Sequence, residues 1–449
     1  MSKWTSNANE ATRLRLVGAP PPYNDVFHPE FTYPIFGDAE TIYGYKGLNV
    51  QLSFASGRLT PALSVTYDAK NTLTAAKLDD IEGALSPFLP EQDMVSPDDL
   101  SQIAIKDALG STESFKPHGE LVHEYTRAVK NKSKSSIASL FSARSRPSNM
   151  TQERKFSIYH ATWDTPGFRD WHARLQIMTL FYIEGASYIQ NDEEKWEFYT
   201  IFERVNTSDG EAFHFVGFTS LYRFWCWPGK IRLRLSQFLV LPPYQRQAHG
   251  TELYNTVYDR MLADDDVCEL AVEDPSEAFD GLRDSCDLAR LSKPQGSVLK
   301  AIISQSLKPP VDRQISENLR AKYKMAARQW ARMLEIIFLQ HLDQTDIESA
   351  RDYRLQVKKR LYLVNREVLH QLDRVQRLKK LHETFESVLE EYSEMSGVEL
   401  SSTLLDAPEI QVDVSALELP PMAKRAANAI IEHGEDIEDG EGARKVPRL

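Results

Sequence analysis

Cysteine is scarce in this 449-residue chain: Cys226, Cys268 and Cys286 are the only three. They have no metal-ligand spacing and make no disulfide framework, so a reducing compartment fits best and no bound metal is expected. No run approaches the ~18 apolar residues that a membrane span needs. The opening MSKWTSNANEATRLRL also lacks the apolar stretch of a secretory signal. Positive charge is not in excess either: 53 Lys and Arg face 65 acids, a formal net charge of −12. A nucleic-acid-binding domain usually carries a basic excess, so direct binding to DNA or RNA is not expected. An acidic surface steers cationic partners, although acidity also serves solubility alone. The chain has no GxxxxGK[ST] loop, which speaks against a nucleoside triphosphate held with magnesium. Nor does a GxGxxG follow an early strand, which weakens a dinucleotide-binding reading.

What is present is the material of a globular protein of two or three domains, with 42% hydrophobic and 10% aromatic residues. Residues 1–129 read as β-rich: LNVQLSF alternates from Leu48 to Phe54 and ALSVTY from Ala62 to Tyr67, between Pro and Gly breaks. A Lys/Ser-rich stretch, 130–149, reads as a mobile loop. Across 150–310 a helix is expected around Trp171, Leu175 and Met178. The apolar run Ile177 to Ile183 is expected to be a buried strand, although periodicity alone leaves more helix open. Strands follow at WEFYTIFERV, FHFVGFTSLYRFW, IRLRLSQFLVL and CELAVE, with helices at TELYNTVYDRMLAD and after DPSEAF. That order is α+β. Residues 311–397 read as a helical domain packed on the preceding one. Its apolar stripe takes in Leu361, Val364, Val368, Leu372, Val375, Leu378, Phe385 and Leu389. Residues 398–449, with the acidic block Glu432 to Glu441, read as a disordered tail. Its basic pairs Lys424–Arg425 and Arg444–Lys445 are a weak nuclear-import signal.

The chemistry concentrates at RLRLSQFLVLPPYQRQAHGTELY. An apolar strand is stopped by Pro242–Pro243, and a short loop opens a helix. The first N–H groups of that helix have no intrahelical partner and, with the helix dipole, suit a pyrophosphate. Alternation slips at Ser236–Gln237, as at a β-bulge. Farther on, Glu273 and Asp274 end an apolar strand. Asp274-Pro275-Ser276-Glu277 would also serve as an ordinary helix start.

QRQAHG resembles the Gln/Arg-x-x-Gly-x-Gly/Ala signature of the GNAT superfamily of N-acetyltransferases, with Ala248 where the first glycine is usual. FTYPIFGDAETIYGYKGL, FYIEGASYI followed by Trp196, SQFLVLPPYQRQAHG and VEDPSEAFDGLRD together resemble, in order and spacing, the type B histone acetyltransferase catalytic subunits of fungi. The resemblance implies an N-terminal β-rich groove domain, a central GNAT domain with splayed strands and a C-terminal helical bundle. It implies acetyl-CoA as co-substrate, held by Phe238, Leu239, Val240, Gln245, Arg246, Gln247, Ala248, His249, Gly250, Thr251 and Ser276. A backbone N–H of the strand would polarise the thioester carbonyl. The resemblance makes Glu273 the general base, assisted by Glu184 and Asp274. Asp38, Ala39, Glu40, Trp196 and Tyr222 are then contacts of the histone H4 N-terminal tail. A base is needed because a lysine amine, with a pKa near ~10.4, is neutral only about once in two thousand at pH 7. The family acts on free, newly made histone H4 with H3, alongside a WD40-repeat histone-binding subunit, in cytoplasm and nucleus. Other readings are an acetyltransferase on another amine and an inactive histone-binding scaffold. Cys268, in an apolar strand, is expected to be inert packing, leaving direct transfer in a ternary complex.

Overall fold

The computed structural model describes residues 4–72, 77–130 and 151–405. The expectations for the Lys/Ser-rich loop and for the tail beyond Leu405 lie outside the described residues. The chain divides into two compact units, Met1–His341 and Leu342–Leu449.

In the first unit, alternation builds a three-stranded sheet. β1 (Thr12–Val17) pairs in parallel with β2 (Asn49–Ala55), which pairs antiparallel with β3 (Pro61–Thr66). Leu14, Leu16, Val50, Leu52 and Phe54 all point inward and are fully buried, as period-two patterning demands. Helix α1 (Pro97–Leu109) packs beside this sheet, its first turn capped by Ser96 and its end closed by Gly110 in the left-handed region.

The centre is a six-stranded mixed sheet whose strands lie in chain order: β4 (Glu120–Lys130), β5 (Thr151–Thr162), β6 (Trp196–Asn206), β7 (Glu211–Cys226), β8 (Lys230–Val240) and β9 (Val267–Val272). Every pairing is antiparallel except β8 with β9. That parallel pair needs a crossover, and the chain between the two strands contains a helix.

The apolar run Ile177 to Ile183 does not form a strand: helix α2 spans Phe168–Tyr182. Ile177, Met178, Thr179, Leu180 and Phe181 are all buried, which makes this a helix end enclosed on every side rather than an amphipathic one. A helix wrapped by protein loses its polar face, so its sequence reads like a core strand. Its end also has work to do, because the Phe181 carbonyl accepts the N–H groups of Glu30 and Phe31, each at 3.0 Å. Helix α3 (His249–Ala263) follows β8, and α4 (Glu277–Leu291) follows β9. Helix α5 (Ala327–His341) closes the unit. Its Gln329 amide donates to Asp284 (2.7 Å) and Asp287 (3.0 Å) of α4, all three buried.

The second unit is a helical hairpin of α6 (Ile347–Val364) and α7 (Arg374–Ser396). The expected continuous stripe breaks at the turn between them. Val364, Val368 and Val375 are 56%, 64% and 76% exposed. The buried seam is Ala350, Tyr353, Val357 and Leu361 against Phe385, Leu389 and Tyr392. Asp373 caps α7 through the N–H groups of Val375 and Gln376, restarting the helix in a new direction. A further short helix, Ser402–Leu405, buries Leu404. Among the described residues no helix is long and apolar enough to cross a membrane, and no group of three or more His, Cys, Asp or Glu could hold a metal.

Candidate active site

Strands β8 and β9 run side by side only from Ile231 to Leu235. The Glu273 N–H closes the last rung on the Leu235 carbonyl at 2.9 Å, and Asp274 then leaves the strand direction with φ +32°. One residue later β8 carries a bulge. Its register with β7 passes from Leu221↔Leu235 to Ser220↔Gln237, leaving Ser236 as the extra residue. Beyond the bulge β8 stays on β7. Gln237 donates its N–H to the Ser220 hydroxyl at 3.1 Å, and Leu241 donates its own to the Val216 carbonyl at 2.9 Å. Backbone groups alternate sides along a strand, so those of Phe238 and Val240 face the gap that β9 has vacated. The Val240 carbonyl there accepts the Gln245 side-chain amide at 2.9 Å, tying the next loop to the same opening.

The bulge aims Ser236 at Glu273: the hydroxyl donates to Oε2 at 2.6 Å, while Arg234 lies 3.3 Å from Oε1. Glu273 is half-buried and Asp274 exposed. Gln237 donates its side-chain amide to the Ser187 carbonyl at 3.0 Å, which brings the turn after α2 to the bulge; Glu184, three residues before Ser187, is exposed. The Gly185 N–H donates to the Tyr33 hydroxyl at 2.6 Å, and Tyr33 in turn donates its N–H to Glu40 at 3.1 Å. One chain of contacts thus links the turn at Asp38, Ala39 and Glu40 to the strand end at Glu273. Within that turn, Asp38 and Ala39 are exposed, but the Glu40 carboxylate is committed internally. It accepts the Thr32 and Tyr33 N–H groups and the Asn9 amide (3.0 Å), with φ +47° at Glu40 itself.

On the other side of Glu273 lies an aromatic track. Trp196 pairs across the sheet with Tyr222, and their rings meet edge-on at 5.0 Å. Tyr222 packs on Phe224 at 4.5 Å, and Arg234 sits over the Phe224 ring at 4.4 Å. Trp196, Tyr222 and Arg234 are successive cross-strand partners, so they share one face and lead to Glu273. Burial and the neighbouring Glu193 carboxylate hold the Tyr222 hydroxyl above its usual range.

The loop beyond Pro242–Pro243 has two left-handed residues, Arg246 at φ +59° and Ala248 at φ +61°. Ala248 is the N-cap of α3 and no side chain caps that helix, so its first N–H groups are left to the opening above. Gly250 is tight for a spatial reason: a Cβ there would lie 2.7 Å from Leu282 of α4. Gln245, Arg246 and Ala248 are exposed. Gln247 is engaged within the protein, accepting the Tyr23 hydroxyl at 2.7 Å and donating to the Pro243 carbonyl at 3.3 Å. Its own carbonyl accepts Arg127 Nε at 3.1 Å, and the same guanidinium pairs with Glu252 at 2.5 Å. His249 is 1% exposed, with Nδ1 2.8 Å from the Tyr125 hydroxyl. Burial, then Arg127, push its pKa down to about 3, so the ring is neutral and only its backbone N–H can meet a phosphate. Thr251 is half-buried in the first turn of α3. Phe238 packs edge-on against Phe279 at 4.9 Å, and Leu239 is buried. The Ser276 hydroxyl caps α4, accepting the Phe279 N–H at 3.3 Å. Ser236, Arg234 and Arg127 are absent from the sequence-based set. The alternation slip marked Ser236 as a bulge, but nothing local to Arg127 signals a loop 120 residues away.

The comparisons with known proteins assign the family. The N-terminal model of the histone acetyltransferase HAT1 matches residues 4–184, the GNAT acetyltransferase model 159–279 and the fungal HAT1 C-terminal model 284–343. The type B histone acetyltransferase catalytic subunit of Mycosarcoma maydis is 49% identical over 90% of this chain and 91% of that protein. Its counterparts in Cryptococcus neoformans and Candida albicans are 41% and 34% identical, over 89% and 88% of this chain and 98% and 90% of those proteins. A solved aminoglycoside acetyltransferase from a soil metagenome aligns with 32% of this chain and 90% of its own, at 14% identity and a TM-score of 0.22, too loose to carry weight. The chain belongs to the type B histone acetyltransferase catalytic subunits, a family of GNAT acetyltransferases.

Proposed function

We propose that this enzyme transfers acetyl from acetyl-CoA to lysines in the N-terminal tail of free, newly made histone H4, with Glu273 as the general base. The observation that carries the reading is the placement of Glu273. It follows β9 directly, where β8 parts from it, and the bulged Ser236 holds it at 2.6 Å. Acetyl-CoA supplies an activated thioester. Around it, the backbone groups of Phe238 and the N–H of Val240 would hold the pantetheine arm, and an N–H would donate to the carbonyl oxygen as charge develops there. The first turn of α3 would take the pyrophosphate, through the backbone of Gln247 to Thr251 rather than through the His249 ring.

The substrate amine arrives as a cation and must lose a proton before it attacks. Glu273 takes that proton, and Glu184 and Asp274 supply local negative charge that favours a basic peptide. An extended tail would lie along Trp196 and Tyr222, with Asp38 and Ala39 exposed at the other end of the linked contacts. Glu40 would support this groove from within, because its carboxylate is bonded to Thr32 and Tyr33. Direct transfer is favoured over an acyl-cysteine route because the Cys268 sulfur lies 3.2 Å from that of Cys226, at the other end of β9. An inactive scaffold is disfavoured because the loop makes its left-handed turn with Ala248 in place of the usual glycine. We further propose work alongside histone H3 and a WD40-repeat histone-binding subunit, in cytoplasm and nucleus.

Transfer from labelled acetyl-CoA to free histones, an H4 tail peptide and nucleosomes tests the substrate class. Label on free H4 and the peptide, with little on nucleosomes, is expected. Preference for a small amine, or for nucleosomes, would overturn it.

A further inference from the structure

Two of the three cysteines meet at the end of β9 remote from Glu273. Cys226 closes β7, Cys268 lies in β9, and their sulfurs are 3.2 Å apart. Cys268 reaches this position through a second irregularity of the sheet. The β8–β9 register passes from Ile231↔Val267 to Arg232↔Glu269, so Cys268 is an extra residue with no partner on β8. A bulge re-aims a side chain, and this one brings Sγ to Cys226 across the start of β8. Neither residue is fully buried, whereas Cys286 is. The hairpin end that carries Cys226 is open to solvent: Trp225 and Trp227 are 67% and 82% exposed.

We propose that Cys226 and Cys268 form a reversible dithiol–disulfide site that, oxidised by a peroxide, staples the β7–β8 hairpin to the edge strand carrying Glu273. Burial and the adjoining Cys226 hold the Cys268 thiol above the ordinary thiol range, which gives Cys268 the resolving role. The Cys226 sulfur attacks one peroxide oxygen, the O–O bond breaks, and a sulfenic acid and one water form from hydrogen peroxide. The Cys268 sulfur then attacks the sulfenic sulfur, forming the S–S bond. The departing hydroxyl takes the remaining thiol proton and leaves as a second water. The two thiols lose two electrons and the peroxide gains them. Closure shortens the separation from 3.2 Å to ~2.05 Å, a small movement for an edge strand and a hairpin tip. A disulfide of this kind in a reducing compartment is transient and redox-sensing rather than structural.

The test treats the full-length enzyme, freed of reductant, with stoichiometric hydrogen peroxide. Free thiols should fall from three to one. The intact mass should drop by two hydrogens, and a non-reducing peptide map should join the Cys226 and Cys268 peptides. Dithiothreitol should restore all three thiols, and the oxidised form should melt higher by roughly 3 °C or more. Cys226→Ser and Cys268→Ser should each abolish the link and the melting shift. The peptide map of the unsubstituted chain decides the matter if a serine variant misfolds. Three surviving thiols, unlinked over-oxidised cysteines, a link through Cys286, or a link between two molecules would each overturn the proposal.

Discussion

Ala248 sits at φ +61° directly before the first turn of α3, a conformation that crowds any β-carbon. Glycine has no such atom, so Ala248→Gly should relieve about 1 kcal/mol of local strain, partly offset by added freedom in the unfolded chain. The expected result is a slightly higher melting temperature, acetyl-CoA bound tighter by less than about tenfold, and unchanged kcat. Ala248→Asp brings a carboxylate beside the diphosphate. At an effective dielectric near ~20 that repulsion costs several kcal/mol, so Kd should rise steeply. Calorimetric titration of both variants reads this directly. If the aspartate variant binds acetyl-CoA as well as the parent, the loop is not the phosphate cradle.

Among the elements, α4 and α5 are joined by buried polar groups rather than by apolar packing alone. The Gln329 amide feeds both Asp284 and Asp287, and Arg332 adds a bond to Asp284 at 2.8 Å. Gln329→Ala leaves two buried carboxylates each short of a donor, at roughly 1–3 kcal/mol per group. Urea melts of this variant should show that loss; a midpoint within error of the parent would mean water replaces the amide. Four of the six central strands, β6 to β9, were legible in the sequence as apolar-patterned runs, whereas β4 and β5 were not named there. The bulge at Ser236 was legible too, because one extra residue breaks the alternation. The end of α2 was not, since Ile177 to Phe181 are enclosed on all sides and carry no period to read. Nor was the stripe from Val364 to Leu378, where a helix turn separates residues that one continuous helix would have aligned. At the site, the strand-end acid and the loop could be named from sequence. The internal roles of Glu40 and of the Gln247 side chain depend on Thr32, Tyr33 and Tyr23, partners that only folding supplies.

For the molecule as a whole, buried histidines set the acid limit. Burial pushes His172 down to about 3, His214 to about 4 (Arg154 adding to it) and His249 to about 3. Each binds its proton more weakly folded than unfolded, where the value is near ~6.5. The stability they allow is therefore complete above pH ~6.5 and is lost as the pH falls towards 4, at roughly 1.4 kcal/mol per unit for each. Asp287 works the other way. Burial raises it to about 6, so the folded state binds that proton more tightly and gains some stability as the pH drops below 6. Burial also raises Glu203 and Asp280, and it lowers His118; the large shifts of the three histidines outweigh the raised carboxyls, so the melting temperature should fall from pH 6.5 to 4.5. His172→Phe should flatten that slope by about one proton; an unchanged slope would mean His172 stays hydrated or becomes charged without unfolding.

Glu273 is the central residue of the proposed chemistry, and the most direct measurement compares Glu273→Gln with the parent enzyme, both purified and assayed near neutral pH on an H4 tail peptide. Glutamine keeps the shape and can still accept the Ser236 hydroxyl, but it cannot take a proton from the amine. The expected result is a kcat lower by roughly 10²–10⁴-fold, the usual contribution of a positioned base, with the acetyl-CoA Kd little changed. A near-normal kcat in a folded, acetyl-CoA-binding variant would contradict the assignment and leave Glu184 or Asp274 to be tested as the base.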